Sequence, residues 1–241
     1  MKNERWARWR TCGLCKQEYH GVVRCALEWA CWKTYVGRPE TDWARQRAMT
    51  QLGNGLAAAK HHEDALTVRE ADLATRRRLG VREEIILVAQ SNLANSYGAL
   101  GRGEEALRLK RDVYSGRLEL NGEEHEKTLL VANNYAASLK ELGRFEEARS
   151  LLRKTIPVAR RVLGEGDRLT LKMRMIYAKA LYKDDAATLD DLREAVTTLV
   201  ETERTARRVL GGAHPVTTGI EGALRDARAA LRARETPSGS A

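Results

Sequence analysis

Three of the four cysteines near the start of the chain are spaced with a histidine as Cys12-x2-Cys15-x4-His20-x4-Cys25. Three thiolates and one imidazole in that order could close around a tetrahedral zinc ion, which takes soft sulfur and imidazole donors. Packing competes for the same residues. Free cysteine is a small hydrophobe, and Cys25, Trp29 and Trp32 recur at intervals of four and three, which would put them on one face of a helix. Disulfides fit least well, because the first twenty residues, with "KNERWARWR", lack the apolar stretch of an export signal. Cys12 and Cys15 are the nominated metal ligands and zinc the candidate cofactor; whether His20 and Cys25 join them is left open.

A catalytic set is harder to assemble. The five histidines are His20, His61, His62, His125 and His214, and none pairs with a nucleophile in a motif of known chemistry. No phosphate-cradling lysine loop, dinucleotide fingerprint or metalloprotease helix is present, so the chain reads as a non-enzyme. The net charge of +9 arises from 42 basic and 33 acidic residues that are interspersed, the pattern of solvated helix faces. Arginine runs do recur, as "RRRLG" (76–80) and "RRVLG" (160–164 and 207–211). Each falls where a helix would end, so the cations complement exposed carbonyls, and no aromatic residues interleave with them as nucleic-acid binding would favour. No segment reaches eighteen uncharged apolar residues. A soluble, cytoplasmic protein with neither nucleic-acid nor membrane partners is expected.

The elements that would carry such residues come in two unlike parts. All five tryptophans and all four cysteines lie within residues 1–44, whereas 45–234 is periodic and 235–241 reads as a flexible tail. Take the alanine of "EDA" or "EEA" as a ruler: Ala65, Ala106 and Ala148 stand 41 and 42 residues apart. Thirteen residues before each comes an apolar residue followed by a small one, Leu52-Gly53, Leu93-Ala94 and Tyr135-Ala136. A closing glycine follows at Gly80, Gly122 and Gly164. A fourth copy runs from Tyr177-Ala178 through Ala195 to Gly211, with "YKDDAATLDD" lengthening its inner connection by five residues, which predicts a loop there.

Each copy reads as two helices. Leu129, Leu130, Ala132, Ala136, Leu139 and Leu142 keep helical spacing, and a second helix spans about Phe145 to Leu163, with a kink expected at Pro157. Polar residues after each closing glycine, Glu83, His125, Asp167 and His214, together with Thr128, Thr170 and Thr217, fit helix caps. Antiparallel helices approach closely only where one presents Gly or Ala. Gly53, Ala94, Ala136 and Ala178 should therefore pack near Ala65, Ala106, Ala148 and Ala195. "HPVTTGIEGALRDARAALRARE" aligns as one more first helix but places Arg225 in the small-residue slot, which predicts a lone capping helix from about Val216 to Arg234. The tryptophans should cap the opposite end.

On these features, and on "NLANSYGALGRGEEAL" and "NNYAASLKELGRFEEARSLLRKTIPVARRVLGEGD", residues 48–220 resemble tetratricopeptide repeats of the kinesin-light-chain-like kind. The resemblance implies an all-α, right-handed α-solenoid of about four helix pairs, with a period of about 42 residues and a C-terminal capping helix. The cysteine spacing is shared with small zinc knuckles. "RWARWRTCGLCKQEYHG" also resembles the closing part of a RING-CH zinc finger, onto which only Cys12 and Cys15 map. That second likeness implies a truncated ubiquitin-ligase component whose repeats would recruit substrate.

In such an array the first helices line a concave groove. Positions three before, one after and four after the small residue give Thr50, Asn54 and Ala57; Ser91, Asn95 and Gly98; Asn133, Ala137 and Lys140; Met175, Lys179 and Tyr182. None is acidic. Asn54, Ser91, Asn95, Asn133, Lys140, Lys179 and Tyr182 are accordingly the nominated peptide-binding residues, and the expected partner is an extended, acidic peptide of another protein.

Overall fold

Alanine, leucine, arginine and glutamate are strong helix formers, and the chain is helical almost wherever they accumulate. The computed structural model describes residues 6–236 and places ten α-helices in them. These are α1 (Gly21–Tyr35), α2 (Trp43–Ala58), α3 (His62–Arg78), α4 (Glu83–Ala99) and α5 (Gly103–Asn121), then α6 (Glu126–Glu141), α7 (Phe145–Leu163), α8 (Arg168–Tyr182), α9 (Leu189–Leu210) and α10 (Pro215–Glu235). Among the described residues there is no β-strand, only an isolated antiparallel bridge between Thr11 and Glu18. The architecture is all-α, built from helix pairs with the sequence period. Residues 237–241 of the expected tail lie outside the described residues. The helices fall into two compact units whose boundary lies between Val113 and Tyr114, within α5.

In the first unit the small residues sit where helices approach. Gly53, Ala65 and Ala94 are buried, with Ala106 nearly so. A methyl group added to Gly53 would stand 3.2 Å from Arg69 Cγ and 3.6 Å from Val68 Cγ1 on α3, so the approach of α2 to α3 depends on its absence. Gly55, on another side of α2, is tighter still: its added carbon would lie 3.2 Å from Cys25 Cα and 3.1 Å from Glu28 Cβ of α1. Glu28 is fully buried there and held by Arg24 Nε at 3.0 Å. Beyond α1, Trp6 packs over the end of the unit, whereas Trp29 and Trp43 stay about half exposed. Trp6 is buried, stacks on Tyr35 at 5.1 Å and lies 5.7 Å from Trp43, over Cys31, Ala44 and Ala48.

The second unit holds the largest core. Ala136, Ala178 and Ala195 have no exposed surface and share it with Leu152, Leu171, Leu181, Leu199 and Ile220. The capping helix α10 contributes Ile220, Ala223, Leu224 and Ala227 to this core, while Arg225 points to solvent. The five-residue insertion is a loop between α8 and α9. Arg149 reaches Asp184 at 3.2 Å, Arg234 donates to the carbonyl of Asp185, and a capping box of Thr188 and Asp191 starts α9.

Two local expectations are corrected. Asp167, His125 and His214 do cap α8, α6 and α10, each side chain accepting from a backbone N–H two residues on. Glu83 does not: it is the first residue of α4, whose N-cap is Arg82. Nor do the threonines cap. Thr128, Thr170 and Thr217 are buried inside the first turns, and Thr128 Oγ1 donates to the Arg117 carbonyl. A threonine three residues past the cap lies on the buried side of its helix rather than over the free N–H groups at its start. Helix α7 continues through Pro157, whose ring lies on the exposed side, and ends at Gly164, where a φ of 96° admits glycine readily.

The glycines give a paired prediction. Gly55→Ala should destabilise the protein by about 1–3 kcal/mol, because backbone on α1 must move. Gly98→Ala, in an exposed helical position with nothing within 4 Å of the added methyl, should stabilise it by about 0.5–1 kcal/mol. Thermal unfolding followed by circular dichroism checks both signs.

Candidate functional site

The nominated groove residues lie on the first helix of each pair; in the first unit Asn54 borders an open groove of about 430 Å³, whereas Ser91 and Asn95 are not among its lining residues. It is lined by Thr50, Gln51 and Asn54 of α2, by Ile85 and Val88 of α4, and by Trp43, Arg10, Arg47 and Arg76. No carboxylate lines it among the described residues, although buried Asp72 hydrogen-bonds Thr50 and Arg76 of its lining. Thr50 Oγ1 donates to Asp72 Oδ2 at 3.1 Å and accepts from Arg76 at 2.8 Å, while Arg76 Nε pairs with Asp72 at 2.8 Å. Burial holds the Asp72 carboxyl above its ordinary range, against the pull of Arg76. Asn54 Oδ1 accepts from buried Arg69 at 3.2 Å, and Arg69 also donates to Ser96 at 2.7 Å. Desolvation lowers the pKa of that guanidinium, whose hydrogen bonds go to neutral acceptors. Asn95 and Gly98 are exposed, whereas the Ser91 hydroxyl donates to the Leu87 carbonyl of its own helix.

Extending the sequence stripe by one helical turn would have found the residues it missed. Six positions before the small residue stand Arg47 and Val88 in the first two copies. Arg47 lies over the Trp6 ring at 5.0 Å, and Trp43 and Val88 are each about half exposed. The groove therefore offers apolar surface beside cationic edges.

In the second unit, Lys140 of α6 and Lys179 of α8 face one another closely enough to interact. The Lys179 amine is held below the ordinary lysine value by burial first, then by Lys140 and Lys183, with Asp226 opposing. Tyr182, one turn along α8, has its hydroxyl 3.5 Å from Asp226 Oδ2, and burial together with that carboxylate pushes its pKa up to about 12. Ala137 and Met175 are half-buried beside them. Asn133 is more deeply placed: it is buried, its Nδ2 donates to Asn134 Oδ1 at 3.3 Å, and its own Oδ1 meets no donor in the protein.

The chain repeats a known design over its centre. Residues 85–161 match the tetratricopeptide-repeat family model. Solved structures with tetratricopeptide-like folds align over far more of the chain. A putative kinesin light chain from Podosopora anserina, with nearly identical TPR-like repeats, has 22% identity and a TM-score of 0.66, and the alignment covers 83% of this chain and 90% of that one. BtubC (BKLC) from P. vanneervenii has 16% identity and a TM-score of 0.60, with 90% and 94% covered. A Rap protein complexed with Competence and Sporulation Factor has 16% identity and a TM-score of 0.57, covering 88% of this chain and 60% of that one. No curated protein sequence matches. At these identities the likeness is one of fold, and it fits the helix pairs described above.

Ahead of the tetratricopeptide-like pairs, Cys12 and Cys15 come together in a tight hairpin. Cys12 N–H donates to Gln17 O, Lys16 N–H returns to Cys12 O, and Lys16 takes a φ of 60° at the turn. The amides of Cys15 and Leu14, then the Cys15 thiol, stabilise the Cys12 thiolate and lower its pKa to about 7. That donor pair fits half of a tetrahedral thiolate site. Cys25 lies on α1, half-buried, and Cys31 is fully buried, its thiol pushed up to about 11 by desolvation. Among the described residues no three His, Cys, Asp or Glu side chains gather as a metal cluster. No helix among the described residues is long and apolar enough to cross a membrane.

Lys179 provides the test of this electrostatic description. Its charged form is disfavoured in the folded state, so the penalty is present at neutral pH and fades as pH rises from its lowered pKa toward the ordinary lysine value. NMR titration of the Lys179 side chain should show a pKa below 10.5, the ordinary value, that moves upward in Lys140→Gln. An unperturbed titration would contradict the clustering.

Proposed function

We propose that the protein is a non-catalytic interaction scaffold whose first helices bind an extended acidic peptide of a partner protein. One observation carries this reading: the groove beside α2 and α4 is lined by Arg10, Arg47 and Arg76 and by exposed Trp43 and Val88, with no carboxylate among the described residues of its walls. An acidic side chain would meet guanidinium edges there while a neighbouring apolar residue covered Trp43 or Val88. The lysines of the second unit support the same chemistry. Lys140 and Lys183 each disfavour the charge of Lys179, and a carboxylate bound beside Lys179 would offset that. Asn95 and Asn54 supply amides suited to a peptide backbone. The related folds include a Rap protein complexed with Competence and Sporulation Factor, which supports a role in recognition for such a fold.

The reading predicts selective binding. In fluorescence anisotropy, a labelled peptide of about ten residues alternating Asp or Glu with Leu should bind, and its Lys-substituted twin should not. Arg47→Gln combined with Asn95→Ala should weaken binding about tenfold or more without lowering helicity. Equal affinity for the two peptides rejects the proposal.

The Cys12–Cys15 hairpin favours a second reading, in which this part of the chain is the end of a RING-CH-like zinc module and the repeats recruit a substrate for ubiquitin transfer. Elemental analysis of the purified chain should then find zinc that is lost in Cys15→Ser. Metal-free protein purified in the presence of zinc would remove that reading.

A further inference from the structure

A second groove in the first unit uses a different side of α2. It has a volume of about 580 Å³ and lies among α1, α2 and α3. Leu52, Leu56 and Ala59 form its floor, whereas Thr50, Gln51 and Asn54 of the same helix face the arginine-lined groove. Val22 and Trp29 stand at its α1 wall, 75% and 47% exposed, and Val68 at its α3 wall.

The repeat explains the vacancy. Ala59 is the C-cap of α2, with φ and ψ of −87° and 5°, and the same cap in the next two copies is Leu100 (−92°, 5°) and Leu142 (−90°, 10°). The turns close identically: His61, Arg102 and Arg144 donate their N–H groups to the carbonyls of Leu56, Tyr97 and Leu139, each at 2.9 Å. In the second copy Leu100 packs against the Leu66, Leu73, Ala89 and Leu93 cluster, alongside Tyr97 and Leu109. The first copy has Ala59 where Leu100 stands and Leu56 where Tyr97 stands. A leucine-sized volume is therefore missing, and Val22 and Trp29 are left facing it.

The charge at the rim selects what enters. Asp64 lines the groove with exposed Glu63 beside it, both in the first turn of α3, and no lysine or arginine is among its described lining residues. We propose that this groove docks an amphipathic helix of a partner protein, its aliphatic side chains filling the space over Ala59 and its flanking lysines or arginines meeting Asp64 and Glu63. The site is separate from the acidic-peptide surface and opposite to it in charge preference. One chain can thus hold two partners of unlike charge at once.

The test uses the full chain and a synthetic amphipathic helix of leucine and lysine, about fourteen residues long, beside a twin with glutamate in place of lysine. Isothermal titration should show the lysine peptide binding and the glutamate peptide failing to bind. Ala59→Leu, which restores the residue the sibling turns carry in the same backbone conformation, should weaken binding about tenfold or more while keeping the fold. Asp64→Lys, an exposed change that removes no packing, should weaken it comparably, and Lys140→Ala with Lys179→Ala should leave it unchanged. Affinity untouched by both Ala59→Leu and Asp64→Lys overturns the proposal. So does equal binding of the two peptides, or a dimer of the chain itself that Ala59→Leu dissolves, since the occupant would then be a second copy.

Discussion

The distance of closest approach between paired helices governs this molecule. Two α-helices come within side-chain contact of each other's backbone only where the intervening residue is glycine or alanine. Gly53, Ala94, Ala136 and Ala178 hold that place in the first helix of successive pairs, and Ala65, Ala106, Ala148 and Ala195 hold it in the second. The apolar residues around them then find partners on the next helix, as Leu152, Leu181 and Leu199 do in the larger core. No single pair could bury such a face alone. Thr50 and Asn54, which flank Gly53 on α2, inherit their place beside the first unit's groove from this constraint.

Much of this was legible in the sequence because the constraint repeats. Helix pairs, the loop at the insertion, the capping helix and the arginine-rich helix ends follow from a ruler about 42 residues long. A repeat fixes which positions are equivalent, but it is silent about what fills a position that differs between copies. Hence the ruler nominated Ser91 and Asn133, yet the Ser91 hydroxyl serves its own helix and Asn133 is buried among its neighbours. It also passed over Trp43 and Arg47, because the stripe of nominated positions stops a helical turn or more short of them. The threonines near the helix starts were read as caps because capping and inward-facing positions lie only three residues apart.

Binding surfaces and stability pull against each other at several of these positions. Lys179 is charged where burial and two neighbouring lysines disfavour charge, and Arg69 is a buried guanidinium whose hydrogen bonds reach only neutral groups. Ala59 leaves space where its counterparts carry leucine, and Lys60 takes a left-handed φ of 66° where Gly101 and Gly143 stand in later copies. Each is a departure from the locally most stable choice, and each borders a groove or the turn beside one. A purely structural array would be expected to remove them.

The account rests on the small residues being required by packing, and Ala178, wholly buried in the larger core, is the place to ask. Thermal and urea unfolding of Ala178→Leu should show a loss of about 1–3 kcal/mol or more through overpacking, while Ala99→Leu, on an exposed helical site, stays within about 0.5 kcal/mol of the parent. An Ala178→Leu protein as stable as the parent would mean that the helices are not held at close approach there, and the central claim would fail.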